Sequence, residues 1–172
     1  MNVLVRPARP AEIGHLAAVW HDGWHEAHAQ IVPAELTQLR TMDSFRIRLL
    51  KALSDIRVVG AVDAPVGFCM VKEAELYQLY VSTQSRGSGV AAALIAEGES
   101  RLREGGVITA WLACAIGNER AAKFYEKCGW CFVGTMDDQV ETSVGKFPLK
   151  VWRYEKRLAP HHPSQSETNS RV

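Results

Sequence analysis

Gln84-Ser-Arg-Gly-Ser-Gly-Val-Ala91 follows the β-rich run Leu76 to Val81 and leads into Ala91, Leu94, Ile95, Gly98 and Leu102, which recur at helical spacing. A loop that closes a strand and opens a helix leaves backbone N–H groups unpaired, and the helix dipole favours an anion there. Two other phosphate loops compete for this stretch. A Walker loop needs Gly-Lys-Ser or Gly-Lys-Thr at its end, which is missing. Gly87-Ser-Gly89-Val-Ala-Ala92 does fit the Gly-x-Gly-x-x-Ala variant of the dinucleotide fingerprint. That fingerprint puts its first glycine directly after the strand, whereas Ser82 to Arg86 intervene here. It also belongs to repeated strand-helix-strand units, and the segments before this loop do not alternate that way.

Upstream, Ile56 to Val62, Val66 to Val71 and Leu76 to Val81 are short β-rich runs separated by Asp63-Ala64-Pro65 and by charged residues, which predicts an antiparallel meander. Asn2 to Arg6 predicts a first strand ended by Pro7. From Ile13 to His28, Leu16, Ala17, Trp20, Trp24 and Ala27 recur at threes and fours and predict an amphipathic helix. Pro33 opens a second helical stretch through Leu53, with Met42-Asp43-Ser44 as its weak point. Downstream, the helix opened by the glycine loop pairs Glu97 with Arg101 and Glu99 with Arg103 on its outer face and ends at Gly105-Gly106. Val107 to Cys114 is nearly continuously apolar, as a strand covered on both faces would be. Asn118 is a good N-cap for a helix carrying Ala121, Phe124, Tyr125 and Cys128 and stopped by Gly129. Strands near Cys131 to Thr135 and Leu149 to Glu155 complete the set. Residues 1–158 therefore predict one domain, and 159–172, rich in Pro, His and Ser, a disordered tail.

The chain has 172 residues, 47% of them hydrophobic, enough to bury one sizeable core. Its 20 Lys+Arg against 19 Asp+Glu create no overall field for nucleic acid or an anionic membrane, so neither is expected as a partner. The longest apolar run, Val107 to Ile116, is too short to span a bilayer, and the start lacks the basic and apolar regions of a secretory signal. A cytoplasmic protein is expected. Cys69, Cys114, Cys128 and Cys131 sit in apolar stretches and predict reduced thiols. Cys128-Gly-Trp-Cys131 has no second pair, and His21, His25 and His28 share one flank of the first helix with no other ligand cluster, so no metal site is expected.

The segment Glu75-Leu-Tyr-Gln-Leu-Tyr-Val81, then Gln84-x-x-Gly87-x-Gly89, then Asn118-Glu-Arg-Ala-Ala-Lys-Phe-Tyr125-Glu-Lys-Cys-Gly129-Trp130 resembles the GCN5-related N-acetyltransferase (GNAT) superfamily. The resemblance spans almost all of residues 1–158. It implies an α+β fold: a mixed, mostly antiparallel twisted sheet of about seven strands flanked by about four helices. It also implies acetyl-CoA as cosubstrate and an amine as acceptor. By that resemblance the Gln84 loop, through the N–H groups of Arg86, Gly87, Ser88, Gly89, Val90 and Ala91, holds the pyrophosphate, with the Arg86 side chain as a further contact. The strand before it bulges and splays, so that Leu79, Tyr80 and Val81 pair with the pantetheine arm. Asn118 matches a family position that touches the cofactor, a role compatible with capping its helix.

Tyr125 matches the tyrosine that protonates the departing thiolate, and a phenol is protonated at neutral pH. Glu75 occupies the place of the base in the histone-acetyltransferase branch, with a water chain as the alternative and a plain strand-end carboxylate, beside Lys72 and Glu73, as the structural reading. Trp20, Trp24 and His28, just before the Ala29 to Val32 loop, are expected to help line the acceptor pocket. Cys114 lacks the His and Asp/Asn setting of a nucleophile, so transfer is expected to be direct. The expected function is N-acetylation of a small-molecule amine. A non-catalytic CoA-binding sensor and a protein N-acetyltransferase are the alternatives. Dimers are common in the family, and a homodimer is compatible with the sequence, although nothing in it selects an interface.

Overall fold

At Ile56 the apolar spacing changes from threes and fours to twos, and the chain changes there from helices to strands. The computed structural model describes residues 3–160. Its elements are β1 (Val5–Pro7), α1 (Ile13–His28), α2 (Ala34–Leu39), α3 (Met42–Lys51), β2 (Ile56–Ala61), β3 (Ala64–Lys72), β4 (Glu75–Val81), α4 (Val90–Glu104), β5 (Thr109–Ala115), α5 (Glu119–Lys127), β6 (Cys131–Thr142) and β7 (Gly145–Arg157). The seven strands form one sheet in the order β1-β2-β3-β4-β5-β7-β6, antiparallel everywhere except between β4 and β5. This is the expected mixed, mostly antiparallel α+β architecture.

Alternation along β3 explains why helices cover both faces. Phe68 and Met70 pack with Leu16, Trp20 and Phe45 of α1 and α3, whereas Cys69 between them packs with Val90 and Leu94 of α4. A strand buried on both sides reads as an unbroken apolar run, as Phe68 to Val71 does.

Several boundaries differ from expectation for local reasons. The second helical stretch breaks at Arg40-Thr41, ahead of Met42, because Thr41 Oγ1 accepts from Ser44 N–H at 3.2 Å and caps α3. Among the described residues the stretch therefore gives two short helices, α2 and α3. β1 ends at Pro7 as expected, and the proline is tolerated because an edge strand has a side on which no N–H is needed. Asn2 of that expected strand lies outside the described residues, as do residues 161–172 of the expected tail. The turn between β2 and β3 is Val62-Asp63, with Asp63 at φ 67°, and Ala64-Pro65 already belong to β3.

Neither expected ion pair on α4 forms. Glu97 meets Arg57 at 3.6 Å and Arg101 meets Asp55, both reaching across to the β2 side. Glu99 is on the inner face, where it accepts from Lys156 Nζ at 2.8 Å and from Trp130 Nε1 at 3.0 Å. Lys156 also donates to the Cys128 carbonyl at 2.7 Å, tying α4, the end of α5 and β7 together. A buried carboxylate with two donors is more stable than one spent on an exposed i,i+4 pair.

Glu12 is a second internal carboxylate, fully buried in the turn before α1. It accepts from Arg6 Nη2 at 2.5 Å, Arg9 N–H at 2.8 Å and Asp63 N–H at 3.2 Å, so it ties β1, α1 and the β2–β3 turn. The Arg6 hydrogen bond holds its pKa at about 2, against an ordinary 4.5. A depressed pKa means stabilisation that is complete above the ordinary value and is lost as pH falls through 4 towards 2. Glu12→Ala is expected to cost about 3 kcal/mol at pH 7, because it leaves the half-buried Arg6 guanidinium without its carboxylate and two N–H groups without an acceptor. Urea midpoints at pH 7 and pH 3 check this: the loss should shrink at pH 3, and an equal loss at both would contradict it.

Candidate active site

Only one residue pair, Glu75 and Trp111, registers β4 against β5, and the Trp111 N–H donates to the Ala74 carbonyl at 3.1 Å just beside it. Beyond that point the two strands diverge. The cause lies in β4: Gln78 pairs with Met70 and Leu76 with Val71, leaving Tyr77 unpaired in a bulge that turns the strand. The wedge so opened holds a cavity of ≈ 470 Å³. Leu79, Tyr80 and Val81 border it on one side, Ala113 to Ala115 on the other, and Phe124 and Tyr125 of α5 cover it.

At the wide end of the wedge lies the glycine loop. Gly87 and Gly89 have φ of 75° and 84°, in the left-handed region, and a Cβ at either would meet nothing within 4 Å. Among the described residues, no partner within the chain takes the N–H groups of Gly87 to Ala91. Free donors at a helix start, facing an open cavity, fit a pyrophosphate. The loop keeps its shape through the Ser88 hydroxyl, which donates to the Ser85 carbonyl. Val90 contributes only backbone here, since its side chain is buried against Cys69 and Leu94. Gln84 is exposed in the preceding turn and does not border the cavity.

The Arg86 side chain, expected to add a phosphate contact, borders the wedge and is paired there with a carboxylate. It grips Glu26 of α1 at 2.8 and 2.7 Å, and Arg120 of α5 reaches the same carboxylate at 3.1 Å. The two guanidinium groups hold Glu26 at about 2, well below the carboxylate range. Asn118 Oδ1 accepts from the Ala121 N–H at 3.3 Å and caps α5 while bordering the cavity, so one residue orients the helix that carries Tyr125. Burial pushes the Tyr125 hydroxyl above the ordinary phenol range, so it stays protonated at any physiological pH. Burial likewise pushes the Cys114 thiol up to about 12, which leaves it a poor nucleophile.

On the far side of β4 a second cavity of ≈ 230 Å³ adjoins the first, and Tyr77, Gln78, Tyr80, Ala113 and Ala115 border both. Glu75 borders the second cavity, and desolvation, then the nearby Asp138, raises its pKa from 4.5 to about 7. His28 and Trp24 also border it, stacked at 5.0 Å between ring centroids, with His28 Nδ1 2.9 Å from the Trp24 carbonyl. Burial lowers the His28 pKa to about 4, so the ring is neutral. Trp20 is not there, a correction to the sequence expectation. It is fully buried and packs on Phe45 and Phe68, at 4.8 and 5.6 Å between centroids, because it lies one turn before Trp24 on the same helix face, where the sheet and α3 cover it.

A family model described as "Acetyltransferase (GNAT) family" matches residues 14–130, more than half of the chain. The chain belongs to the GNAT acetyltransferase family. An uncharacterized N-acetyltransferase of Mycobacterium bovis is 32% identical over 110 residues, covering 62% of this chain and 69% of that protein. The GCN5-related N-acetyltransferase structure from Rhodopseudomonas palustris has the same fold, with a TM-score of 0.71 at 21% identity over 92% of this chain and 97% of that one. The PaiA N-acetyltransferase of Thermoplasma acidophilum, solved in complex with coenzyme A, superposes with a TM-score of 0.62 at 19% identity over 91% and 99%. The protein is an acetyl-CoA-dependent acetyltransferase.

The second cavity adjoins the wedge between β4 and β5 across Tyr77 to Tyr80. Residues of that second cavity escaped the sequence reading. Arg40 and Arg48 come from α2–α3, Lys72 from the end of β3, and Asp138, Glu141 and Lys146 from a long β6–β7 hairpin. The expected strands, Cys131 to Thr135 and Leu149 to Glu155, are only its base. Its outer part was signalled by Val140, Phe147 and Leu149 at alternate positions around a Ser143-Val144 turn, with Gly145 at φ 116°. Among the described residues no cluster of three His, Cys, Asp or Glu has metal-site geometry. Cys69 and Cys114 are buried, Cys128 is half-buried and Cys131 is exposed, all as free thiols.

Proposed function

We propose that this acetyltransferase moves the acetyl group directly to the amine nitrogen of a small molecule, with Glu75 as base and Tyr125 as acid. The observation that carries the reading is the placement of Glu75, with its raised pKa of about 7, in a cavity that meets the donor wedge across Tyr77 to Tyr80. A lysine-like amine with pKa about 10.4 costs about 4.6 kcal/mol to deprotonate at pH 7. A base at about 7 rather than 4.5 narrows the proton-transfer gap by about 3 kcal/mol. Glu75 takes the proton that the ammonium gives up; the neutral nitrogen attacks the thioester carbonyl, the C–S bond breaks as the thiolate takes the proton of the Tyr125 hydroxyl, and the second proton, shed by the nitrogen as the amide forms, restores that hydroxyl. The loop N–H groups from Gly87 to Ala91 hold the pyrophosphate, and Leu79 to Val81 offer unpaired backbone to the pantetheine arm.

The size and walls of the acceptor cavity support a small molecule rather than a protein chain. At ≈ 230 Å³ it is bounded by α1, the α2–α3 turn, β4 and the β6–β7 hairpin, and it is smaller than typical drug-sized pockets of about 300–1,000 Å³. Thiol release from acetyl-CoA over a panel of small amines and of lysine and N-terminal peptides tests the reading. Small amines should turn over faster than every peptide. Peptides ahead of all small amines would assign a protein substrate, and acetyl-CoA binding without turnover on any acceptor would assign a sensor.

A further inference from the structure

The acceptor cavity holds two guanidinium groups for which acetyl transfer itself has no use. Arg40, in the turn between α2 and α3, is only 4% exposed; its Nη1 donates to the Glu141 carbonyl at 2.5 Å, and its buried Nε has no partner among the described residues. Arg48 of α3 donates from Nη2 to the Tyr77 hydroxyl at 2.8 Å and lies 4.3 Å over the Trp20 ring, and its Nε is likewise buried without a partner. Among the described residues neither takes part in an ion pair. The cavity's carboxylates are otherwise engaged: Glu141 pairs with Lys72 at 3.3 Å, and Asp138 stands by Glu75. Burial and the neighbouring Arg48 pull the Arg40 pKa down to about 10, the mark of a cation short of an anion. Leaving buried cations uncompensated is costly, and a bound anion removes the cost.

We infer that the acceptor is an amine that also carries a small oxyanion, a carboxylate of an amino-acid-like molecule in the first place, which docks on Arg40 and Arg48 while the amine faces Glu75. This rests on the acetyl-transfer reading and adds a substrate class to it. A guanidinium fork binds a carboxylate through two parallel N–H···O bonds, and two forks in one cavity hold such a group in a single orientation. Their positive field also lowers the pKa of an incoming ammonium, which makes the neutral nucleophile easier to reach. A neutral amine or a peptide N-terminus would leave both arginines unpaired.

Matched acceptors decide the point: the L-amino acids, their methyl esters, the corresponding decarboxylated amines and ω-aminoalkylphosphonates, each with purified full-length protein and acetyl-CoA. At least one free acid or phosphonate is expected to exceed its ester or decarboxylated partner about 10- to 100-fold in kcat/KM. A lead for the carboxylates over the phosphonates identifies the carboxylate, and the reverse identifies the phosphonate. Arg48→Gln should bring the acid-to-ester ratio towards one through KM, with Arg40→Lys as the gentler change at the buried site and thermal melts to confirm folding. Esters or neutral amines matching or exceeding every acid overturn the inference while leaving acetyl transfer intact. If no acceptor turns over, acetyl transfer fails as a reading, and melts with the same compounds in the presence of coenzyme A still decide the pocket. A Tm rise with the acids alone supports it, and no acid-specific rise overturns it.

Discussion

Glu75→Gln is expected to lower kcat by about 10²- to 10⁴-fold, the usual contribution of a positioned base. The substitution keeps the size of the side chain and removes the site that takes the amine proton. With a pKa of about 7, the wild-type carboxyl must lose its own proton before it can act, so kcat/KM should rise with pH up to a plateau above about 8. The variant should lack that rise. Stability moves the other way, which separates lost chemistry from lost fold. A carboxyl whose pKa is raised in the folded state favours folding when protonated, and that advantage disappears as pH climbs from 4.5 through 7. At pH 8, therefore, Glu75→Gln should be more stable than wild type, on the order of 2 kcal/mol, by urea unfolding. A variant that keeps wild-type kcat and the same pH profile would assign the proton to a water chain instead.

Tyr125→Phe is expected to cost about 10²-fold in kcat with little change in the KM for acetyl-CoA. The ring borders the donor wedge beside Phe124, and no hydrogen bond contributes to the upward shift of its hydroxyl. Removing an oxygen that has no hydrogen-bond partner among the described residues leaves the packing of α5 unchanged, so the melting temperature should hold. The loss then falls on the step where the thiolate leaves. Steady-state kinetics with coenzyme A product inhibition measure both sides of this: unchanged affinity for coenzyme A with reduced kcat supports the acid role, and full activity removes Tyr125 from the chemistry.

Much of the donor side was legible in the chain because its parts are consecutive. The glycine loop reads as an anion site from Gly87 and Gly89 and from the helix that follows, and Asn118 reads as a cap from its place before an apolar helical face. Local conformation and backbone donors follow from short windows of sequence. Arg86 shows the limit of that logic. Its position in the loop suggested a phosphate contact, yet Glu26, sixty residues away, takes its guanidinium and shares the same carboxylate with Arg120.

The acceptor side depends on contacts that no window contains. Trp20 and Trp24 sit on the same helix at the same spacing from their neighbours, and only the packing of Phe45 and Phe68 decides that the first is core while the second reaches a cavity. Arg40 and Glu141 are about a hundred residues apart in sequence and hydrogen-bonded in space. Glu99 looked like half of an exposed pair until Lys156 and Trp130 arrived from β7 and the end of α5.

By itself the sequence determined the order of elements, the glycine loop, the capped helix carrying Tyr125 and the family to which they belong. Each is a matter of periodicity, backbone freedom or a hydrogen bond within a few residues. Only the tertiary structure decided which charges are paired and which are left open to a ligand. The pKa of Glu75 and the lack, among the described residues, of an ion pair at Arg40 and Arg48 arise from desolvation and from neighbours that folding brings together, and those depend on distance in space rather than along the chain.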